Sequence, residues 1–299
     1  MDYRPWEEEA AAVFRGLLSD SLEDLLAQVK EPSPEEKVMK AVQDIASTYQ
    51  HELNKASAEL RIDWNDPVNR CGYVFVYFAH HCYMTFWALL HGLGVPIAQR
   101  EWAGRPRLRL CSVGGGPGSD LVGLLQFLRR TVPEAVVECQ ILDWCSPGWR
   151  HASDVLGHRI PWESDRLSVT YHGCDMVDDD PAPPDDVLDF AKEADLVTLI
   201  KSFSAVSAFI RDDSSRGEWL RLLLSKLRPG CLLLLIDNCH HNVDLFRSQI
   251  ADQVGLRLIR RFEVDSQMPN GQYSSTIQEY CKGYKPMEGC KVHVEIYQK

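Results

Sequence analysis

The chain has 299 residues, of which 45% are hydrophobic and 25% charged, and its formal net charge is −11. These values are ordinary for a globular protein with a sizeable core, and the acidic charge argues mildly against a duplex nucleic-acid partner. No apolar run reaches the roughly 18 residues that a membrane span needs, and the first residues lack the pattern of a signal peptide, so we expect no membrane association and a cytoplasmic or nuclear location.

The first hundred residues have the pattern of helices. Apolar residues recur at helical spacing between Trp6 and Val29, with a polar run at 19–21 where a break is expected. A capping box at 33–36 opens a second helix, and Asp66-Pro67 opens a third that runs to Gly92 or Gly94. The third helix is aromatic on several sides, so it must be buried between layers. We predict that residues 1–104 form a helical cap that closes over a pocket.

From Arg107 the chain alternates between short apolar runs and helical patterns, which is typical of βα units around a mostly parallel sheet. Seven strands are predicted, at 108–113, 136–142, 167–172, 195–200, 231–236, 256–264 and 291–297. No clear helix separates the last two, so we expect them to pair as an antiparallel hairpin that carries a long excursion, 265–290. We expect the excursion to form one wall of the pocket. The predicted second domain covers residues 105–299.

The strongest local signal is a glycine turn between the first predicted strand and a helix. The turn contains Gly114, Gly115, Gly116 and Gly118 and leads into the helix 121–130. Glycines permit positive φ angles and let a ligand approach the backbone without a Cβ in the way. Exposed amides at the start of the following helix favour an anionic or strongly polar group. The turn therefore predicts a site for a nucleotide-like ligand.

The glycine spacing distinguishes between two kinds of nucleotide-like ligand. A dinucleotide fingerprint needs a third glycine where this chain has Ser119, whereas Gly114, Gly116 and Gly118 fit the spacing G-x-G-x-G. Here the sequence resembles the class I S-adenosylmethionine-dependent methyltransferases over residues 107–299. The resemblance implies a Rossmann-like, seven-stranded, mostly parallel sheet with an antiparallel last strand.

The resemblance also assigns roles to single residues of the cofactor site. It implies that Asp143, after the second strand, binds the ribose hydroxyls of S-adenosylmethionine and that Asp175, after the third, lies near the adenine amino group. Trp144 could cover the adenine. The family usually has an acid where this chain has Ser112, so the methionine end is left to Asp120 or to the amides of the turn. Related enzymes supply a tyrosine from a helix before the first strand. Tyr73 and Tyr77 are the candidates here, with core packing as the alternative.

Candidates for catalysis follow the fourth and fifth strands, since ligands lie outside the carboxyl ends of an open parallel sheet. Lys201 follows the fourth strand. This strand end lacks the Asp/Asn-Pro-Pro-aromatic tetrad that would resemble the motif of methyltransferases acting on amino groups of adenine, cytosine or glutamine, so that subclass is disfavoured. His240 and His241 follow the fifth. We expect one of these histidines to face the acceptor as a base, and the alternative is a histidine-bearing helix cap with Asn242 as the cap residue. Methyl transfer needs such a base only if the acceptor carries a proton to lose.

Metal ligands are not expected, because the ten cysteines include no C-x-x-C pair and adjacent histidines on a strand point opposite ways. Three functions stay open. A methyltransferase for a small aromatic or amine metabolite suits the acidic charge and the aromatic cap. An RNA or protein methyltransferase would need a basic face built from two arginine groups, 100–109 and 257–261. A non-catalytic S-adenosylmethionine sensor or interaction module is the third.

Overall fold

A computed structural model describes residues 2–51, 62–177, 182–238, 241–280 and 284–299, with the side chains of all of these except 50, 51, 279 and 280. Its sheet has seven strands, close to the predicted bounds. They are β1 (Leu108–Val113), β2 (Val137–Asp143), β3 (Leu167–Gly173), β4 (Leu196–Ile200), β5 (Leu232–Asn238), β6 (Arg257–Gln267) and β7 (Gly289–Gln298).

The strands lie in the order β3-β2-β1-β4-β5-β7-β6. Neighbours among β1 to β5 are parallel, and β7 runs antiparallel to both β5 and β6. The predicted fold class, a Rossmann-like and mostly parallel sheet with an antiparallel last strand, is therefore confirmed. One consequence matters for function: the carboxyl ends of β1 to β5 meet at a single edge of the sheet.

Helices cover both faces of the sheet. Those that follow β1 come in chain order as α5 (Ser119–Thr131), α6 (Ser146–Gly157), α7 (Asp185–Lys192), α8 (Phe203–Asp212), α9 (Glu218–Ser225) and α10 (Asn242–Phe246). Helices α5 and α6 pack on one face and α7 to α10 on the other. In β5, Leu232, Leu234 and Ile236 face the first layer while Leu233 and Leu235 face the second. This strand is apolar throughout because both of its faces are buried.

The amino-terminal region, the cap, is helical as the sequence predicts, and its role as a lid over the pocket stays a prediction. Its helices are α1 (Arg4–Leu26), α2 (Pro34–His51), α3 (Pro67–Ala88), a π-helical turn (Leu89–Leu93) and α4 (Val95–Trp102). The α1 helix is unbroken at the polar run 19–21, because Ser21 is buried on the same stripe as Leu18 and Leu22. No helix among the described residues is both long and apolar enough to cross a membrane.

Helix α3 lies at the centre of the cap, between α1 and α2 on one side and α5 on the other. Asp66 caps it by accepting a hydrogen bond from the Val68 N–H at 2.8 Å. Gly123 of α5 permits close contact with α3, since a Cβ there would lie 2.5 Å from the Cys82 carbonyl oxygen. Cap and sheet thus share one continuous apolar core. The domain division at residue 104 stays a prediction.

The connection between β6 and β7 differs from its prediction in two ways. It contains a short helix, α11 (Ser275–Tyr280). Among the side chains described between 275 and 278, the one fully buried apolar side chain is Ile277, which is too little to give a readable periodicity. The connection also packs against α1 and contributes no described residue to the cavity introduced below. Buried Arg15 of α1 fixes it, donating to the Pro269 carbonyl at 2.5 Å and pairing with Glu288 at 3.1 Å.

Candidate functional site

A cavity of about 1040 Å³, counted out to its open mouth, lies at the carboxyl edge of the sheet beneath the cap. Three groups of residues line it. The sheet edge contributes Gly114, Gly116, Asp143, Trp144, Cys174, Asp175, Met176, Ile200, Lys201 and Ser202; helices α6 and α8 contribute Trp149, Ala205, Val206 and Phe209; the cap contributes Thr48, Tyr49, Ile62, Trp64 and Tyr73.

The glycine turn has the backbone that its sequence predicts. Gly114, Gly116 and Gly118 have φ angles of +66°, +49° and +83°. At Gly114 a Cβ would lie 2.4 Å from the Ser202 Cβ, so the turn that follows β4 can approach only a glycine. Gly114 and Gly116 line the cavity, whereas Gly115 packs against the Ser112 hydroxyl and Gly118 precedes α5.

Asp143 ends β2 beside the glycine turn and lines the cavity. Its Oδ2 accepts a hydrogen bond from the Gly116 N–H at 3.0 Å, and its Oδ1 accepts one from the Cys145 N–H at 3.3 Å. The Trp149 side chain is a third hydrogen-bond partner of this carboxylate, which leaves it about one further acceptor position, and a ligand diol that displaces the Trp149 contact would gain a second. Burial raises the pKa of Asp143 to about 6, although the two amide donors and Trp149 oppose this shift.

Two predicted adenine contacts lie on the same side of the cavity as Asp143. Trp144, the next residue, is 41% exposed, and its position at the rim allows it to cover a planar ring. Asp175 follows β3 and accepts a hydrogen bond from the Val177 N–H at 3.1 Å, which fixes the turn. Cys174 and Met176 flank Asp175 in the lining. The structure therefore brings Asp143, Trp144 and Asp175 together, as the resemblance implies.

Asp120 lies elsewhere, and its predicted contact with the cofactor needs correction. It is 2% exposed, is not part of the cavity lining, and lies between β1 and β4. Its Oδ2 accepts hydrogen bonds from the Ser112 hydroxyl, at 2.6 Å, and from the Thr198 hydroxyl, while its Oδ1 accepts one from the Leu121 N–H at 3.0 Å. Asp120 thus joins two strands to α5, and Ser112 serves as its partner.

Aromatic side chains form the cap side of the cavity. Tyr73 lines it as predicted and contacts Trp64 and Trp149 with ring centroids 5.2 and 5.4 Å away. Tyr77 lies behind, against Tyr73 at 5.2 Å, and is not in the lining. Sequence reasoning missed Tyr49, Trp64 and Trp149. A signal existed for Trp149, which follows Trp144 on the helix after β2, but nothing in the sequence indicated that α2 reaches this cavity.

The catalytic candidates are separated by the structure. Lys201 lines the cavity at the end of β4, and its Nζ donates a hydrogen bond to the Asn238 Oδ1 at 2.6 Å. His240 lies outside the described residues. His241 is exposed, does not line the cavity, and precedes α10 with its carbonyl bonded to the Leu245 N–H at 3.0 Å. The structure thus does not bring His241 to the cavity. His241 is at the N-cap position of α10 without a side-chain cap hydrogen bond, and Asn242, the cap residue of the alternative, is the first residue of the helix.

The residues of the cavity fit S-adenosylmethionine. The glycine turn exposes backbone to the ligand, the Asp143 carboxylate suits a vicinal diol, and aromatic rings suit adenine. The methionine end would meet the turn and Ser202, because the described lining has no acid at the position where the family usually has one. Within the described ranges, no group of three or more His, Cys, Asp or Glu side chains could hold a metal ion.

Comparison with known proteins gives distant structural likenesses only. No family model matches the chain, and no curated protein matches it in sequence. A Listeria monocytogenes protein described as a class I S-adenosylmethionine-dependent methyltransferase is 11% identical, with 98% of this chain and 88% of that one covered and a TM-score of 0.46. A Pyrococcus horikoshii protein described as an RNA methyltransferase is 13% identical, with 74% and 85% covered and a TM-score of 0.42.

Precorrin-6y C5,15-methyltransferase from Geobacter metallireducens is 12% identical, with 69% of this chain and 88% of that one covered and a TM-score of 0.40. Likenesses this distant say nothing about activity or substrate. The chain's own sheet is more informative, because β7 is inserted antiparallel between β5 and β6. With this strand order, the chain has the seven-stranded Rossmann-like fold of the class I S-adenosylmethionine-dependent methyltransferases.

Proposed function

We propose that the protein is a methyltransferase that uses S-adenosylmethionine and a small-molecule acceptor. The observation that carries the proposal is the joint placement of the glycine turn and Asp143 on adjacent strand ends, around one cavity that the aromatic cap covers. The turn and Asp143 would hold the cofactor, with Trp144 and Asp175 at its adenine. S-adenosylmethionine would supply an activated methyl group.

The contribution of the protein would be position and desolvation. Direct displacement at a methyl carbon needs no covalent enzyme intermediate, so holding the acceptor in line and excluding water account for most of the rate. Walls formed by Trp64, Tyr73 and Trp149 are apolar and packed together, which suits the exclusion of water.

The position of the arginines favours a small acceptor over RNA. Both arginine groups lie at the amino ends of the strands, opposite the cavity, since Arg109 is in β1 near its start and Arg257 begins β6. Several are neutralised: Arg105 pairs with Asp195, and Arg107 and Arg109 pair with Glu138. A nucleic acid bound to these arginines would not reach the cavity.

Transfer of labelled methyl groups tests the acceptor class. The protein is incubated with tritiated S-adenosylmethionine and a cell extract that has been separated into small-molecule, RNA and protein fractions. We expect label in the small-molecule fraction. Label confined to RNA or protein would reject the small acceptor, and binding of the cofactor without label in any fraction would favour a sensor.

Cofactor binding should depend on pH through Asp143. Its pKa in the free protein is raised to about 6, and the ionised form is the better acceptor for the ribose hydroxyls. Binding therefore stabilises the ionised form and lowers this pKa, so affinity is full above about pH 7 and falls up to tenfold per unit as the pH decreases through 6. Calorimetry at a series of pH values measures this slope. Affinity that stays constant from neutral to mildly acidic pH would contradict it.

A further inference from the structure

Lys201 and Asp143 lie on opposite sides of the glycine turn. Asp143 ends β2 and Lys201 follows β4, and these strands flank β1 on its two sides. Since neighbouring strands are about 4.8 Å apart, the two sites are separated by roughly 10 Å across the sheet edge. A cofactor held by the turn, Asp143 and Asp175 extends toward β3. The region above β4 and β5 is therefore left for the acceptor.

Lys201 forms no direct ion pair with a carboxylate among the described residues. Its Nζ donates to the neutral Asn238 amide at 2.6 Å and is also hydrogen-bonded to the Cys290 thiol. Its positive charge opposes the rise in pKa that burial imposes on the Asp237 carboxyl. The neighbouring acid, Asp237, is fully buried and accepts hydrogen bonds from the Ser204 and Asn238 N–H groups, both at 2.7 Å. The third N–H donor of the ammonium group is thus available to a ligand.

The backbone holds Lys201 in an unusual conformation. Its φ angle is +58°, in the left-handed region that side chains other than glycine rarely adopt, and its N–H donates to the Ile236 carbonyl at 2.7 Å. Such a conformation costs on the order of 1–3 kcal/mol and is concentrated at functional sites. If the turn served only to join β4 to α8, a glycine at this position would avoid the cost. The presence of lysine instead indicates that its side chain is needed there.

The surroundings of Lys201 combine apolar walls with positive potential. Ile200, Val206 and Phe209 line the cavity beside it, and the aromatic cap lies opposite. Helix α8 begins two residues later, at Phe203, and its amino-terminal end adds a partial positive charge. In an apolar region the attraction between an ammonium group and an anion is stronger than in water.

We propose that Lys201 binds an anionic oxygen of the acceptor, so that the substrate is a small aromatic carboxylate or phenolate. This inference rests on the proposed methyltransferase function. The acceptor would bind as its conjugate base, having lost its proton to solvent. An oxygen electron pair then forms the bond to the methyl carbon while the carbon–sulfur bond breaks and leaves its pair on sulfur. The positive charge on sulfur and the negative charge on oxygen both disappear, and a cavity of low polarity favours this loss of charge.

The other titratable groups near Lys201 agree with an acceptor that arrives already ionised. Burial lowers the pKa of His80 to about 4, and it also lowers the pKa of His81 well below its usual value. Both imidazoles come from α3 and are neutral at physiological pH, with little tendency to take a proton. Tyr73, whose hydroxyl lies 3.3 Å from the His81 Nδ1, is likewise neutral because burial raises its pKa.

Three probes of one shape but different charge test the proposal by binding alone. Benzoate, benzamide and benzamidine are titrated by calorimetry at neutral pH, with and without saturating S-adenosylhomocysteine. We expect benzoate to bind at least tenfold more tightly than benzamide, and benzamidine to bind most weakly. Lys201→Gln should lower benzoate affinity by about 10- to 100-fold, as expected for loss of a hydrogen bond to a charged group, and leave benzamide unchanged.

Matched variants separate this role from damage to the fold. Lys201→Arg should keep most of the affinity for benzoate, and Asn238→Asp should lower it by pairing with the intact ammonium group. Lys226→Gln, which alters an exposed lysine on another surface, is the control and should match the parent protein. Circular dichroism confirms that each variant is folded.

Four results would overturn the inference: tightest binding of benzamidine, no binding of any probe, benzoate affinity unchanged in Lys201→Gln, or loss in that variant of affinity for S-adenosylhomocysteine in place of benzoate. The last would assign Lys201 to the cofactor. Failure of the proposed function is distinguishable, because S-adenosylhomocysteine would then not bind the parent protein, while the titrations without it still report on Lys201.

Discussion

Asp143→Asn is expected to lower the affinity for S-adenosylmethionine about 100-fold, because two hydrogen bonds to a charged acceptor contribute roughly 1.5 kcal/mol or more each. In the variant, the side-chain amide would also direct its NH₂ group at the N–H of Gly116 or Cys145, which now donate to the carboxylate. Calorimetric titration of the variant measures the loss.

The matched control for Asp143→Asn is Asp120→Asn, the same change at the other buried acid near the glycine turn. Because Asp120 is outside the cavity, this second variant should bind S-adenosylmethionine as the parent does. Equal affinity in Asp143→Asn and the parent would show that Asp143 does not bind the ribose hydroxyls. A loss in Asp120→Asn as large as that in Asp143→Asn would show that the effect is not local to the cavity.

Asp120→Leu is expected to lower the free energy of unfolding by about 3 kcal/mol, because it leaves the buried Ser112 and Thr198 hydroxyls and the Leu121 N–H without their acceptor. Burial raises the pKa of the Asp120 carboxyl, so removing it recovers part of a desolvation cost and limits the loss. Asparagine keeps the shape, and the hydroxyls can rotate to accept from it, so its cost stays within about 1 kcal/mol.

Thermal unfolding measures the effect of Asp120→Leu. For a chain of 299 residues, about 3 kcal/mol corresponds to a decrease of roughly 5 °C in Tm. Melting of the leucine variant at the parent temperature would contradict the assignment of Asp120 as the link between β1, β4 and α5. The asparagine variant serves as the folded reference in the same measurement.

The sheet could be predicted from the sequence because its strands are short apolar runs between recognisable turns. Runs such as Leu232–Ile236 are long enough for a strand and too short for a helix, and they repeat at the spacing of βα units. The positive φ angles of the glycine turn were also predictable, because glycine is the residue type that adopts them without strain. Helix α11 was missed, because six residues are too few to show a helical period.

The candidate site was predictable only where a residue follows a strand directly. Asp143, Trp144, Asp175 and Lys201 are each within two residues of a strand end, so the sheet places them. The cap side depends on how helices pack, and sequence periodicity does not say which face of α3 meets the cavity. Tyr73 and Tyr77 were therefore indistinguishable, and Tyr49 of α2 was missed. The predicted contact of Asp120 with the cofactor was wrong for a similar reason, because the orientation of its side chain depends on hydrogen bonds from Ser112 and Thr198.

Calorimetric titration of the protein with S-adenosylmethionine and with S-adenosylhomocysteine measures whether the cavity binds this cofactor. Each compound should bind at one site per chain, with affinity in about the micromolar range, and the two should compete. Asp143→Asn should weaken both. Absence of binding for both compounds to the folded parent protein would contradict the assignment of the cavity as a cofactor site, and with it the proposed methyltransferase function.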